Sequence, residues 1–350
     1  MSLYVDIEKK FKGFTLKVKF RTEEGILGIL GASGCGKSMT LKCIAGILTP
    51  DRGRIVLNDR ILYDSEKKIN LKPQKRKVGY LFQDYALFPN KTVEENVCCT
   101  LKKKDWQEGR KWIRFFRLDG LEKLYPHQLS GGQKQRTAFA RMMAARPELL
   151  LLDEPFSALD AHLREKLQAE LSGILKKLGR DTILVTHSRD EAYRLCQKLM
   201  IMDCGKKVCQ GNTKEIFDEP VYLEAAQITG CKNFSPVKKV DERHFLAQDW
   251  GIFLQEACPV KEADYVGIRA HYFTPAQEEG ENIFPLCRAE ITESPFEIYV
   301  TFFTGKEKAG TEPLWWKISK ETWYGEMKEQ LPPFVRISPG NLMFLKTKED

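Results

Sequence analysis

Residues 31 to 38 read GASGCGKS, a match to GxxxxGK[ST], and stand directly between an apolar run, GILGIL (25 to 30), and a stretch of helical pattern that begins at Lys37. No other feature restricts the fold as much. A strand that feeds a helix through a glycine loop belongs to an α/β domain with a parallel sheet and crossover helices. The glycines let successive backbone N–H groups turn inward on a polyphosphate, and the helix N-terminus adds partial positive charge. Gly31, Ala32, Ser33, Gly34, Cys35, Gly36, Lys37, Ser38 and Met39 therefore form the candidate nucleotide cradle. Lys37 would reach the β and γ oxygens, and the Ser38 hydroxyl would face Mg²⁺. A thiol near a helix end can be catalytic, but the simpler reading of Cys35 is a tolerated small residue.

The rest of the first 230 residues keeps the same texture. Buried strands are expected at 77 to 82 (KVGYLF), 149 to 153 (LLLLD) and 182 to 186 (TILVT), and helices at 37 to 47, 106 to 116, 133 to 144, 159 to 178 and 190 to 197. From residue 231 the pattern changes to short alternating runs with turn residues between them: FLAQDWGIFLQ, YVGIR, CRAEIT, EIYVTFF, LWWKI and NLMFLK. The expected architecture is an α/β domain over 1 to 230 followed by a small all-β, OB-like domain over 231 to 350. Trp250, Phe302, Phe303, Trp315, Trp316 and Trp323 read as barrel core rather than as base-stacking platforms.

Mean hydropathy is −0.39, and no apolar run is long enough for a membrane-spanning helix. The opening MSLYVDIEKKFKGF lacks the apolar core of a secretory signal, which points to the cytosol. The cysteines, among them Cys43, Cys98, Cys196, Cys209 and Cys287, show no CxxC spacing and read as reduced, mostly buried thiols. Residues 1 to 230 carry 41 Lys+Arg against 29 Asp+Glu, and residues 231 to 350 carry 15 against 19. A basic first part suits nucleic acid, anionic lipid or nucleotide phosphates. The runs Lys102-Lys103-Lys104 and Lys75-Arg76-Lys77 read as solvated surface.

A hydrolytic site beside a polyphosphate needs a carboxylate for the metal, and a strand's carboxyl end is where one can face the loop. LLLLDEP supplies two: Asp153 to hold Mg²⁺ through water and Glu154 to polarise the attacking water. A helix cap or salt-bridge pair is the plainer alternative, but two carboxylates beside a polyphosphate need a metal to offset their repulsion. His187 follows ILVT and should reach the same sheet edge, near the γ-phosphate or the water. Gln83 ends VGYLFQ in the same way and could sense metal or water. Leu129-Ser-Gly-Gly-Gln133 is a second glycine turn opening a helix. It either caps a ligand held by another molecule or is only a helix cap.

GASGCGKS, FQD, LSGGQ, LLLLDEP, SALD and VTH, in this order, resemble the nucleotide-binding subunit of ATP-binding cassette (ABC) proteins over residues 1 to 230. The resemblance implies ATP and Mg²⁺ as ligands and a head-to-tail homodimer in which Ser130, Gly132 and Gln133 contact the partner's ATP. It makes Asp160 the aspartate that couples the two sites, and it implies that DYALFPNKTVEENV (84 to 97) faces a membrane permease. The family stacks adenine on an aromatic near the N-terminus; Phe11 and Phe14 both qualify, and Phe14 is favoured.

Residues 53 to 89 are similar to importer ATPases for oxyanions, molybdate above all. TGCKN (229 to 233) and DYVGIRAHYF (264 to 273) resemble the accessory domain of molybdate, sulfate, iron, polyamine and sugar importers. The expectation is the ATPase subunit of a prokaryotic importer on the cytoplasmic face of the membrane, working with permease subunits and indirectly with a solute-binding protein. No nucleic acid is expected. The alternative is a soluble nucleic-acid-associated ATPase, which the absence of a coiled-coil insertion and of zinc-type cysteines disfavours.

Overall fold

The computed structural model describes residues 2–102, 105–157, 161–256, 262–304 and 312–348. Asp160, expected to couple two sites, lies outside these residues, as do Lys103 and Lys104. The chain forms two compact units, Met1–Lys214 and Glu215–Asp350. The division falls ahead of the boundary expected at 230, because residues 215 to 230 belong with the second unit.

The first unit is built from β1 (Leu3–Phe11), β2 (Phe14–Thr22), β3 (Ile26–Leu30), α1 (Lys37–Ala45), β4 (Arg52–Leu57), β5 (Arg60–Asp64), β6 (Ile69–Asn70) and β7 (Val78–Leu81). It continues through α2 (Val93–Cys98), α3 (Trp106–Phe115), α4 (Gly131–Ala144), β8 (Leu149–Asp153), α5 (Ala161–Leu178), β9 (Thr182–Thr186), α6 (Arg189–Leu195), β10 (Lys198–Asp203) and β11 (Lys206–Asn212). One sheet runs β6-β5-β4-β1-β2-β11-β10-β3-β9-β8-β7.

The neighbours from β10 through β3, β9 and β8 to β7 are parallel. That is the expected crossover core. The sheet as a whole is mixed, because β1, β2, β4, β5 and β6 pair antiparallel and extend it on one side. Strands β3, β8 and β9 are buried at every residue, as interior parallel strands covered on both faces must be. Strand alternation splits β8 between two cores. Leu149 and Leu151 pack with Leu27, Ile29 and Leu41, while Leu150 and Leu152 pack with Val97, Phe116 and Phe139. Each such leucine contributes about 1.5–3 kcal/mol relative to an exposed one.

This register aligns the carboxyl ends of the parallel strands. Leu30 pairs with Thr186, Asp153 with Val185 and Leu81 with Leu152, so Gly31, Glu154, His187 and Gln83 all emerge at one edge.

Arg76 departs from the sequence reading. Lys75 and Lys77 are exposed, but Arg76 is fully buried. Its guanidinium donates to the carbonyl oxygens of Cys43 (2.8 Å), Ile44 (2.9 Å) and Leu71 (2.8 Å) and to Asn70 Oδ1 (2.9 Å). Cys35, Cys43, Cys98, Cys196 and Cys231 are buried thiols, whereas Cys209 and Cys287 are half-buried and Cys204 is exposed.

α7 (Thr213–Asp218) crosses the division, and α8 (Leu223–Ile228) lies wholly in the second unit. The β-strands there are β12 (Asn233–Lys239), β13 (His244–Ala247), β14 (Ile252–Gln255), β15 (Tyr265–Ile268), β16 (Phe273–Ala276), β17 (Ile283–Pro285), β18 (Cys287–Glu293), β19 (Glu297–Phe303), β20 (Leu314–Ser319), β21 (Phe334–Ile337) and β22 (Leu342–Leu345). They form sheets ordered β14-β13-β12-β15-β22, β16-β21-β17 and β18-β19-β20.

FLAQDWGIFLQ is the β13–β14 hairpin. Trp250, Phe302, Trp316 and Trp323 are core residues, as expected. Phe303 and Trp315 are only half-buried, with Arg288 and Lys232 set over their rings. Asn233 bonds the main chain of Trp315 in both directions, and Arg269 donates to the Thr229 carbonyl at 3.2 Å. The TGCKN and DYVGIRAHYF segments thus knit this unit together. Among the described residues no helix is long and apolar enough to cross a membrane.

Candidate nucleotide site

The loop after β3 is shaped by three glycines with different reasons to be glycine. A Cβ on Gly31 would lie 2.2 Å from the Met202 carbonyl oxygen and 2.7 Å from Cys35 Sγ, so the backbone has no room for one. Gly34 (φ +82) and Gly36 (φ +102) hold the left-handed conformation that turns the chain into α1. Ala32, Ser33 and Gly34 are exposed at the tip, and Met39 is exposed on the first turn of the helix.

Lys37 is 4% exposed. Its ammonium donates to the carbonyl oxygens of Gly31 (2.9 Å) and Ala32 (2.8 Å), neutral acceptors that an incoming phosphate would outcompete for a cation. Cys35 Sγ is 3.9 Å from that ammonium. Burial raises the Cys35 thiol pKa more than the nearby lysine lowers it, which makes the thiol a packing group rather than a nucleophile.

Ser38 Oγ donates to Asp153 Oδ1 at 2.6 Å, which joins the loop to the end of β8. The Tyr80 hydroxyl, from β7, donates to Asp153 Oδ2 at 2.7 Å. A serine hydroxyl, a nearly buried carboxylate and a buried ammonium beside a helix N-terminus form a donor set suited to a triphosphate with Mg²⁺. Of these groups, sequence reasoning missed Tyr80.

Glu154 follows Asp153 with φ 45, a left-handed conformation that costs a non-glycine residue about 1–3 kcal/mol and clusters at functional sites. Its N–H donates to the Val185 carbonyl at 3.0 Å, and its Oε2 lies 3.1 Å from His187 Nδ1. His187 is placed by a buried polar network that sequence reasoning also missed. Thr186 Oγ1 donates to Glu191 Oε2 at 2.6 Å, Gln168 Nε2 donates to Glu191 Oε1 at 3.2 Å, and the Ser188 N–H donates to Thr186 Oγ1 at 2.9 Å. The residues belong to α5, β9 and α6, so no local motif announces them.

Gln83 is exposed just past β7. The turn that follows has Tyr85 at φ 62 and Ala86 at φ 43, and α4 grips it: the Arg141 guanidinium donates to the carbonyl oxygens of Ala86 (2.7 Å) and Tyr85 (2.8 Å). Another α4 residue, Gln135, donates to the Pro155 carbonyl at 2.9 Å. At the start of α4, Ser130 and Gln133 form a capping box. Ser130 Oγ accepts from the Gln133 N–H at 3.3 Å, and Gln133 Oε1 accepts from the Ser130 N–H at 2.8 Å. Ser130 is exposed, whereas Gly132 is buried with Leu167 3.3 Å from where its Cβ would stand.

The Phe14 ring packs on the loop, 3.1 Å from the position a Gly36 Cβ would take. The Phe11 ring centroid lies 6.0 Å from that of Phe14.

An α/β unit with this loop, carboxylate pair and histidine at one sheet edge is a nucleoside triphosphatase cassette. The ABC transporter family model matches residues 15–157. The chain is 35% identical over 291 residues to an Fe(3+) ions import ATP-binding protein of Haemophilus influenzae, covering 81% of this chain and 82% of that one. It is 36% identical over 311 residues to a molybdenum import ATP-binding protein of Aliivibrio fischeri, covering 83% and 85%. Other relatives are named for sulfate/thiosulfate and putrescine. Among solved structures it resembles the dimeric ATP-binding cassette MJ0796 bound to ADP and Pi. The TM-score is 0.51 at 25% identity, covering 61% of this chain and 99% of that one. The chain belongs to the ABC transporter family, as an ATP-binding subunit. ATP with Mg²⁺ is the ligand pair of that cassette.

Proposed function

We propose that the protein is the ATP-hydrolysing subunit of a prokaryotic importer, acting as a homodimer on the cytoplasmic face of the membrane. The observation that carries this reading is the convergence of Lys37, the Ser38–Asp153 pair and the Glu154–His187 pair at one sheet edge.

Each residue has a role in the scheme. Lys37 and the loop N–H groups bind the phosphates, and Phe14 stacks the adenine. Asp153, Ser38 and Gln83 would hold magnesium, which when bound draws charge from the β and γ oxygens. Glu154 accepts a proton from the attacking water, and His187 orients Glu154 and the terminal phosphate. Ser130, Gly132 and Gln133 meet the ATP of the opposite protomer, and Asp160 couples the two sites. ATP then touches both chains, so binding closes the dimer and hydrolysis releases it.

The segment 84 to 97 offers half-exposed Phe88 toward integral-membrane permease subunits, with a solute-binding protein engaged through them. The cargo we propose is molybdate or a related oxyanion, supported by the similarity of residues 53 to 89. Relatives named for iron, sulfate and polyamine are as similar, and they define the comparison set.

Glu154→Gln tests the engine. The variant should lose turnover, bind ATP with native affinity and accumulate as an ATP-dependent dimer on size exclusion. A monomer that binds ATP equally well would refute the clasp. Uptake in the assembled transporter, assayed with molybdate, sulfate, ferric iron and putrescine, tests the cargo.

A further inference from the structure

We propose that Tyr80 is a positioning residue for the metal site: its hydroxyl fixes the Asp153 carboxylate so that one oxygen remains turned toward Ser38 and the phosphate loop. The inference rests on the reading of Asp153 as the magnesium carboxylate.

Asp153 is 5% exposed, and both its oxygens accept hydroxyl hydrogen bonds, Oδ1 from Ser38 at 2.6 Å and Oδ2 from Tyr80 at 2.7 Å. The two donors differ in kind. Ser38 lies on the first turn of α1, beside the loop that would take the phosphates, and its hydroxyl would turn from Asp153 to a bound metal. Tyr80 lies on β7, whose register with β8 pairs it with Leu151, so its hydroxyl is carried by the sheet itself. Its ring packs against Phe82, with centroids 4.5 Å apart.

The half-buried phenol commits its one proton to Asp153 Oδ2. A carboxylate held on one oxygen by a rigid donor keeps its plane when the other oxygen changes partner. Its acceptor lone pairs would then face a bound metal's water without a rotamer search. A phenylalanine would fill the same space and leave Oδ2 buried without that donor.

The experiment uses the full chain with Tyr80→Phe, Tyr80→Met and Asp153→Asn, checked for folding by thermal denaturation. Binding of trinitrophenyl-ATP is measured in EDTA and then across a Mg²⁺ titration, a readout independent of turnover. Tyr80→Phe should leave affinity in EDTA at the native value and raise the Mg²⁺ concentration for half-maximal effect by about tenfold, the cost typical of losing a group that orients a metal ligand. Tyr80→Met should do the same. A Mg²⁺ curve for either folded Tyr80 variant that superimposes on the native one, while Asp153→Asn shifts its own, overturns the role of Tyr80 alone. If Asp153→Asn also leaves the curve unmoved, the reading of Asp153 falls, and the inference with it.

Discussion

Glu154 Oε2 lies 3.1 Å from His187 Nδ1, although the two residues leave different strands, β8 and β9. The contact exists because Asp153 pairs with Val185, which sets both chain exits side by side. Glu154 is largely buried while His187 is about half-exposed, so the histidine is the outer, solvent-side member of the pair. His187→Ala should lower ATP turnover about 100-fold or more and leave ATP affinity within a few fold, because in the proposed scheme it orients Glu154 and the terminal phosphate while Lys37 and the loop hold the nucleotide. Single-turnover hydrolysis beside equilibrium ATP binding is the check. A parallel loss of affinity would assign His187 to binding instead.

Arg76 should be among the most sensitive positions for stability. Three main-chain carbonyls and the Asn70 amide oxygen converge on its guanidinium, and the Cys43 and Ile44 carbonyls belong to the last turn of the helix that starts at the phosphate loop. Truncation strands these acceptors, at about 1–3 kcal/mol each for any that water cannot reach. Arg76→Ala should destabilise the chain by at least about 3 kcal/mol in urea titrations. Arg76→Lys should recover only part, since an ammonium cannot span four acceptors with the geometry of a planar fork. Solvated-surface behaviour, with a change under about 0.5 kcal/mol, would contradict the burial.

Gly31→Ala and Gly34→Ala separate two reasons for glycine within one loop. At Gly31 the added methyl would meet the Met202 carbonyl at 2.2 Å, so β3 and β10 must move apart and the fold itself should suffer. At Gly34 nothing lies within 4 Å, and the cost is only the left-handed φ of +82, about 1–2 kcal/mol. Melting temperature should therefore fall much further for Gly31→Ala. Gly34→Ala should remain folded and lose ATP affinity, because the loop N–H groups are re-aimed. Calorimetry and nucleotide titration on both variants decide the matter.

The legible parts of this molecule are those written in local pattern. The strands at 26–30, 149–153 and 182–186 could be placed almost to the residue, because a strand covered on both faces is an unbroken apolar run. Their polar exits, Asp153, Glu154 and His187, followed from that placement. The hairpin of β1 and β2 was equally present, as Leu3, Val5, Ile7 and Leu16, Val18, Phe20 alternating with Tyr4, Asp6, Lys17 and Lys19, the period of two of half-buried strands rather than an unbroken apolar run. Tyr80 and the Thr186–Glu191–Gln168 network were not legible, since their function depends on strand register and on helices far apart in sequence. Arg76 was misread for the opposite reason: its exposed neighbours Lys75 and Lys77 made a uniform basic run of three residues whose middle one turns inward.

Thiol chemistry should distinguish the loop cysteine from its neighbour in space. Cys35 is 5% exposed and its pKa is raised chiefly by burial; Cys204 is exposed and its pKa is raised chiefly by the charge of Asp203. The thiolate is the reactive form, so a raised pKa means slower alkylation at neutral pH and a rate that climbs as pH rises past the ordinary cysteine range. Both thiols share that sign, and access then separates them. Iodoacetamide at pH 7.5, followed by peptide mass mapping, should modify Cys204 slowly and Cys35 scarcely at all. Raising the pH to 9 should accelerate Cys204 while Cys35 waits on opening of the loop between Gly31 and Lys37. Rapid labelling of Cys35 at neutral pH would mean an activated thiolate beside the Lys37 ammonium, and would overturn the reading of that cysteine as a packing group.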